Sequence, residues 1–313
     1  MLNIIRAGLY TSVQDAGREG YRQSGISRCG AMDAPSLAIA NLLVGNDPGA
    51  AALEITLGQA VIQFERDCWF ALSGAACEAM LDDKPVWISW RLQARAGQTL
   101  TLGRPQLGIR SYLAVAGGID VPVVLGSRST DLNTGIGGLE GRRLQDGDRL
   151  ALLPTTRQFS RPLGVKQLLP GNRIRALPGP EYHEFDTRSQ RMFWSAPWQL
   201  SPQSNRMGYR LHGQTLSRTT DREMRSHGLL PGVVQVPHGG QPIVLMSDAQ
   251  TTGGYPRIAC VIEADLYQMA QVPLDSRSTL CPARWRRRWR PGMTGSAICS
   301  SLPGDYLSKS KEF

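Results

Sequence analysis

Carboxylate, carboxamide, hydroxyl and guanidinium groups crowd into two short stretches of this sequence. Residues 11–22, TSVQDAGREGYR, bring Gln14, Asp15, Arg18 and Tyr21 together, and the stretch runs on to SRCGAMD at 27–33. Residues 247–256, SDAQTTGGYP, set Asp248, Gln250, Thr251 and Thr252 ahead of Gly253, Gly254 and Tyr255. A carboxylate accepts hydrogen bonds, a carboxamide both donates and accepts, and glycine lets backbone N–H groups approach a ligand. Such a mixture suits a small polar substrate. The same residue types also cap turns by bonding to nearby backbone, and the residues alone leave both readings open. A third group, GSRSTD at 126–131, sets Arg128 among hydroxyls and Asp131. It suits recognition of a carboxylate or phosphate, or an internal Arg128–Asp131 pair that fixes a loop. Arg206, in SNRMG at 204–208, sits in a further polar turn. The glycine-rich GIGGLEG at 135–141 reads as a flexible loop or as backbone amides approaching an anion.

Several common signatures are missing. The chain has no GxxxxGK[ST] phosphate loop, no GxGxxG ahead of a helix and no GxSxG nucleophile elbow. Its four histidines (His183, His212, His227, His238) and six cysteines lack metal-ligand spacing, so no metal site is expected. His227 and His238 fall in loops and are left out of the catalytic set.

The net charge of +9 invites a nucleic-acid reading, but residues 272–313 carry +5 of it and the preceding 271 residues only +4. A folded basic surface with interleaved aromatics is what nucleic-acid binding needs, so that class is set aside. The widely spaced cysteines, without CxxC, read as reduced thiols. There is no apolar h-region at the start and no run of roughly 18 apolar residues. A cytoplasmic location is expected.

What must position these groups is mostly strand. Thirty-four glycines and 20 prolines in 313 residues suit short strands and tight turns. Short apolar runs at 2–5, 60–64, 69–73, 79–81, 100–102, 109–116 and 144–153 are strand candidates. Those at 174–177, 209–211, 233–236 and 243–246 continue the series. Asp33 as N-cap, helical spacing over 36–44 and the stop at Gly45–Asn46 define one helix. Short helices are expected at 180–185 and 264–270. Prolines at 154, 162 and 170 mark a boundary.

Taken in order, several motifs resemble one family. TSVQDAGREGYRQSGISRCGAMD, SLAIANLLVGN, AALEITLGQA, YLAVAGGIDVPVVLGSRSTD, GGLEGRRLQDGD, SNRMGYRLHG and PGVVQVPHGGQPIVLMSDAQTTGGYPRIACVIEADL are similar to allophanate hydrolase subunit 2, the KipA family of carboxyltransferase-like proteins. The resemblance covers residues 1–271. It implies a mainly β fold with a few helices, built as two cyclophilin-like β-barrel subdomains over 1–160 and 161–271. It further implies a subunit of an ATP-dependent 5-oxoprolinase, which opens 5-oxoproline to L-glutamate and is active only with partner subunits. The expected partners are a subunit-1 homologue, KipI-like, and a third 5-oxoprolinase subunit. ATP, with Mg2+, is the expected cofactor, in a site that partner and chain share. On this resemblance Asp15, Arg18 and Asp248 form the catalytic set. Gln14, Tyr21, Arg128, Asp131, Arg206, Gln250, Thr251, Thr252, Gly253, Gly254 and Tyr255 bind substrate. Two alternatives accompany it: a biotin-dependent urea or amide carboxyltransferase subunit, and a non-enzymatic regulator that relieves inhibition of a sensor histidine kinase. From residue 272 the sequence departs from the family. It becomes rich in Arg, Ser, Pro and Trp, reads as a tail without strand or helix periodicity, and suggests a shifted reading frame.

Overall fold

In the computed structural model, which describes residues 1–283, alternating apolar residues become strand almost wherever they occur. The runs at 69–73 and 79–81 prove to be halves of one 14-residue strand, Cys68–Leu81, whose register shifts between Gly74 and Ala79. It pairs antiparallel with Thr99–Val115, from Phe70 opposite Val115 to Leu81 opposite Leu100. A bulge lets pairing run on while breaking the period of two. That is why the sequence pattern splits it into separate pieces.

Around this pair an eleven-stranded sheet assembles. Trp90–Ala94 and then Leu163–Gly164 lie on one side, and Val61–Phe64, Leu2–Arg6, Arg149–Leu152 and Ile119–Asp120 on the other. Ala52–Thr56 pairs with both Thr99–Val115 and Tyr10–Gln14, so the sheet branches. One face buries a core that includes Ile4, Leu53, Ile62, Phe64, Phe70 and Leu113. Helix α1, Ala34–Leu43, covers another part of the sheet, with Leu37, Ala40 and Leu43 clustered with Trp69, Ala71 and Tyr112. Asp33 caps it as expected, accepting from Ser36 N at 2.9 Å and Ser36 Oγ at 2.7 Å.

Residues 173–282 form a closed seven-stranded barrel. Its order is Arg173–Pro178, Arg257–Val261, Val233–Gln235, Ile243–Leu245, Gly208–His212, Trp198–Leu200 and Arg277–Pro282. Trp198, Tyr209, Val234, Val244, Ile258 and Leu280 are buried inside it. Helix α2, Thr187–Ser195, lies where no helix is expected from sequence; Asp186 caps it by accepting from Ser189 N, and Ser189 and Phe193 are its buried residues. Helix α3, Glu263–Ala270, lies where a short helix is expected, and a single 3-10 turn, Tyr182–Glu184, replaces the one at 180–185.

Among the described residues the observed class is thus mainly β with three α-helices, with one closed barrel beside a larger branched sheet. The sheet's last strand is Leu163–Gly164 and the barrel's first is Arg173–Pro178, and Met1–Pro282 pack as one compact unit. The expected absence of strand after residue 271 needs correction. Arg277–Pro282 pairs antiparallel with Trp198–Leu200 and parallel with Arg173–Pro178, and so closes the barrel. Ser278 and Leu280 point into buried surroundings while Arg277, Thr279 and Cys281 do not, a period of two that neighbouring polar residues disguise. The basic run from Arg284 onwards, and with it most of the tail for which a shifted reading frame is expected, lies outside the described residues. Among the described residues no helix is long and apolar enough to cross a membrane.

Candidate functional site

Strand Tyr10–Gln14 ends at the first of the two polar stretches, and that stretch folds back on itself. Arg18 N donates to Arg28 O at 2.8 Å and Ala31 N to Asp15 O at 2.9 Å. Gly17 and Gly30 have positive φ, and a Cβ on Gly30 would lie 2.8 Å from Gly17 N, so the crossing needs glycine. The folded loop then meets the second stretch. Cys29 N donates to Ser247 O at 3.1 Å, Ser27 Oγ to Ala249 O at 3.0 Å, and Arg22 Nη2 to Gln250 O at 3.5 Å and to Leu229 O. The two segments singled out by composition are therefore neighbours, although they lie more than 200 residues apart.

Asp15 organises one side of this junction. Its Oδ1 accepts from Gly17 N at 2.7 Å, Ser127 Oγ at 2.6 Å and Ser129 Oγ at 2.5 Å, and its Oδ2 from Arg128 N at 2.5 Å. Three of these four bonds tie residues 127–129 to the loop, and the fourth holds the loop's own Gly17. Arg18, only 1% exposed, gives Nη2 to Ser129 O at 2.6 Å, while its Nε and Nη1 are buried without partners. Asp131 Oδ1 accepts from Asn133 N at 2.9 Å, and its Oδ2 is buried and unpaired, as is Gln14 Oε1. Orphaned buried polar atoms are rare and costly, and they collect here. No Arg128–Asp131 ion pair forms. Arg128 Nε donates to Val121 O at 3.0 Å, and its two terminal nitrogens have no partner among the described residues.

On the barrel side Arg206 and Asp248 join one another. Arg206 donates Nε and Nη2 to the two oxygens of Asp248, both at 2.8 Å, Nη1 to Glu54 Oε1 at 2.5 Å, and Nη2 also to Gly30 O at 2.6 Å. Expected as a ligand for substrate anions, Arg206 directs its donors inside the protein instead. Asp248, expected in catalysis, is the other half of that fork. The network extends to Arg110, 3.6 Å from Glu54, and to Tyr112, whose hydroxyl donates to Glu54 Oε2 at 2.7 Å. Burial opposes ionisation of Glu54, but Arg206 and Arg110 outweigh it and hold its carboxyl below the usual range. Gln271 completes the clamp: its Oε1 accepts from Ile109 N and Arg110 N, both at 2.9 Å, and its Nε2 donates to Asp33 Oδ2 at 2.7 Å. Sequence reasoning missed Glu54 and Arg110. The signal was there, as single charges inside apolar strands, ALEIT and GIRSYLAV.

The remaining expected residues lead elsewhere. Thr252–Gly253 pairs with His227–Gly228, and the next two residues, Gly254 and Tyr255, line a cavity of about 610 Å³. Its other walls come from residues 215–218 and 220–224 and from Val236, Pro237, His238 and Pro256. A Cβ on Gly254 would lie 2.9 Å from Met224 O, so glycine lets these loops meet. Tyr255 meets the His238 ring edge-on, with centroids 6.3 Å apart. Arg218 and Arg222 share Glu184, each 2.5 Å from one of its oxygens. Gln250 and Thr251 do not line the cavity, and neither does Tyr21, which is exposed at the edge of the first loop. Among the described residues no three His, Cys, Asp or Glu side chains group as a metal site.

A closed barrel beside a branched sheet, joined by a buried charge clamp, defines a class that comparison with known proteins identifies. Residues 24–281 match the family described as carboxyltransferase domain, subdomain A and B, and the chain belongs to that family. The crystal structure of the K. lactis urea amidolyase superposes with a TM-score of 0.84 at 30% identity, over 90% of this chain and 19% of that one. In sequence, the chain is 73% identical over 274 residues to the C subunit of 5-oxoprolinase from Escherichia coli K12, covering 88% of each. It is 48% identical over 276 residues to the C subunit of 5-oxoprolinase from Haemophilus influenzae, covering 88% of this chain and 89% of that one.

Proposed function

We propose that this chain is the C subunit of an ATP-dependent 5-oxoprolinase. The carrying observation is the 73% identity over 88% of both chains to a protein of that name. In this reaction a resonance-stabilised lactam must be opened. Transfer of the γ-phosphoryl group of ATP to the lactam oxygen makes the ring carbon electrophilic. Water adds there, the C–N bond breaks with protonation of nitrogen to leave an acyl phosphate, and a second water hydrolyses this to glutamate and inorganic phosphate. Negative charge develops on oxygen in each step, and positioned cations stabilise it most where water is excluded.

Arg128 and Arg18 supply such cations. Arg128 is held by Asp15 through its backbone N–H, with its terminal nitrogens available to a substrate carboxylate. Arg18 is kept behind it against Ser129 O. Asp15 acts by positioning this pair, and Asp248 by fixing Arg206 and the loop around Gly30. The chain works in complex with a subunit-1 homologue and a third subunit. Reconstituted with both, it is expected to release ADP only when 5-oxoproline is present. A complex that forms yet shows no such stimulation would sink this reading. The fold match to a urea-processing enzyme at 30% identity favours a second reading, carboxyl transfer from a biotin carrier. In that case urea-dependent turnover would require added carboxybiotin and would ignore 5-oxoproline.

A further inference from the structure

A smaller cavity opens on the large sheet and shares no residue with the junction of the two polar loops. Its volume is about 190 Å³, room for roughly six water molecules and below the range that drug-sized ligands fill. The start of strand Cys68–Leu81, Gln93 on the neighbouring strand, and the loop that carries Thr155, Arg157 and Gln158 enclose it.

Hydrogen-bond donors dominate this lining. Arg66 is steadied by the carbonyls of Leu152 and Leu153, at 3.5 and 3.2 Å. The stem of Arg157 lies against Gly45, where a Cβ would come within 2.8 Å of Arg157 Cδ. Neither guanidinium forms an ion pair among the described residues, and the carboxamides of Gln93 and Gln158 have no partner there either. Thr155 Oγ1 accepts from Arg157 N at 3.1 Å, which leaves its own O–H to donate. Trp69, only 6% exposed, lines the same cavity, and its indole N–H is buried without a partner. A buried donor left unpaired is costly, and a ligand oxygen would satisfy it.

Negative charge is scarce by comparison. Asp67 is the one carboxylate of the lining, and its Oδ1 already accepts from Ala96 N at 2.7 Å. Burial pushes the Cys68 thiol up to about 12, so near neutral pH it adds no charge. Two guanidiniums thus face one carboxylate, and planar N–H forks match the oxygens of an oxyanion.

From this juxtaposition of two unpaired guanidiniums, free carboxamides and an orphaned indole N–H in a small pocket, we infer that the chain binds a phosphate group there. Arg66 and Arg157 bracket its charge, and Trp69 and the carboxamides donate to its remaining oxygens. Inorganic phosphate and the head of a small phosphate monoester share this chemistry. The site goes beyond the proposed reaction and does not depend on it.

The test uses the full chain with 15N in its indole groups. Its seven tryptophans give one indole N–H signal each, and Trp69→Phe identifies which belongs to Trp69. Titration with inorganic phosphate, and separately with glycerol 3-phosphate, is expected to move that signal along a saturating curve. Potassium chloride at matched ionic strength is expected to leave it in place. Whichever of the two phosphates binds more tightly identifies the source. Arg66→Gln and Arg157→Gln, both at exposed positions, are expected to weaken binding roughly tenfold each, with melting temperatures in chloride unchanged. A Trp69 signal that drifts equally with phosphate and chloride, or binding that both variants leave intact, would overturn the inference. Reconstituted complexes carrying Arg157→Gln are expected to keep the parent's 5-oxoproline-stimulated ADP release, so failure of this site and failure of the proposed reaction are told apart.

Discussion

Replacing Glu54 with Gln tests the buried clamp more directly than any other single change. Gln is nearly isosteric, so packing is kept and only the charge is removed. Glu54 is 0% exposed and accepts from Arg206 at 2.5 Å, Tyr112 OH at 2.7 Å and Met32 N at 2.9 Å, with Arg110 at 3.6 Å. In the variant Arg206 keeps Asp248, but Arg110 loses the carboxylate it pairs with among the described residues, in a site closed to water. Breaking a buried pair from one side costs about 3–5 kcal/mol, most of it the cost of an uncompensated charge. The urea midpoint should fall accordingly, at an unchanged slope. Glu54 also makes stability depend on pH. Its carboxyl ionises more readily in the folded state than in the unfolded one. Its contribution is therefore complete above the unfolded value of about 4.3 and is lost as pH falls below that towards the folded value. Glu54→Gln should remove this part of the acid sensitivity and leave a flatter profile below about pH 5. A loss under about 1 kcal/mol, or an acid limb identical to that of the parent, would refute the clamp as the main tie between sheet and barrel.

Other substitutions address the remaining features. Arg128→Ala in the reconstituted complex should lower kcat/KM for 5-oxoproline by roughly tenfold or more, the worth of one charge-assisted contact, with the melting temperature preserved. Steady-state kinetics would decide this, and an unchanged value would remove Arg128 from the site. Gly137→Ala places a Cβ 2.0 Å from Ser129 O at a φ of +70°, whereas Gly135→Ala has a φ of +68° and nothing within 4 Å. The first should cost several times the second, which bears only about 1 kcal/mol of backbone strain, and thermal melts of both would show equal losses if the loop were slack. Leu280→Ala, at a side chain 1% exposed, should destabilise by about 2–5 kcal/mol if Arg277–Pro282 closes the barrel; a loss within about 0.5 kcal/mol would show that it does not.

Much of this was legible in sequence. The cap at Asp33, the glycine turns and the alternation of short strands are local effects, and the structure realises them. Composition also picked out the two polar loops, which do meet. What could not be read was the partner of each polar group. Arg206 in SNRMG looked like a ligand-binding arginine, because nothing local revealed that Asp248, 42 residues on, and Glu54, 152 residues back, would occupy it. Arg218 and Arg222 escaped notice for the opposite reason. They lie in a polar loop without regular pattern, and their common carboxylate, Glu184, is 34 residues upstream of Arg218. Long-range pairing also hid the last barrel strand. Arg277–Pro282 has little apolar character of its own and is strand because Ile174 and Trp198 stand beside it.

That final strand also bears on how the molecule is made. Arg173–Pro178 gains its parallel neighbour only after about a hundred further residues have been synthesised. Until then one edge of the nascent ring stays open to hydrogen bonding by any passing chain. A ribosome that stalls shortly before residue 277 would therefore leave a finished sheet attached to an adhesive half-ring, a species for chaperones to shield.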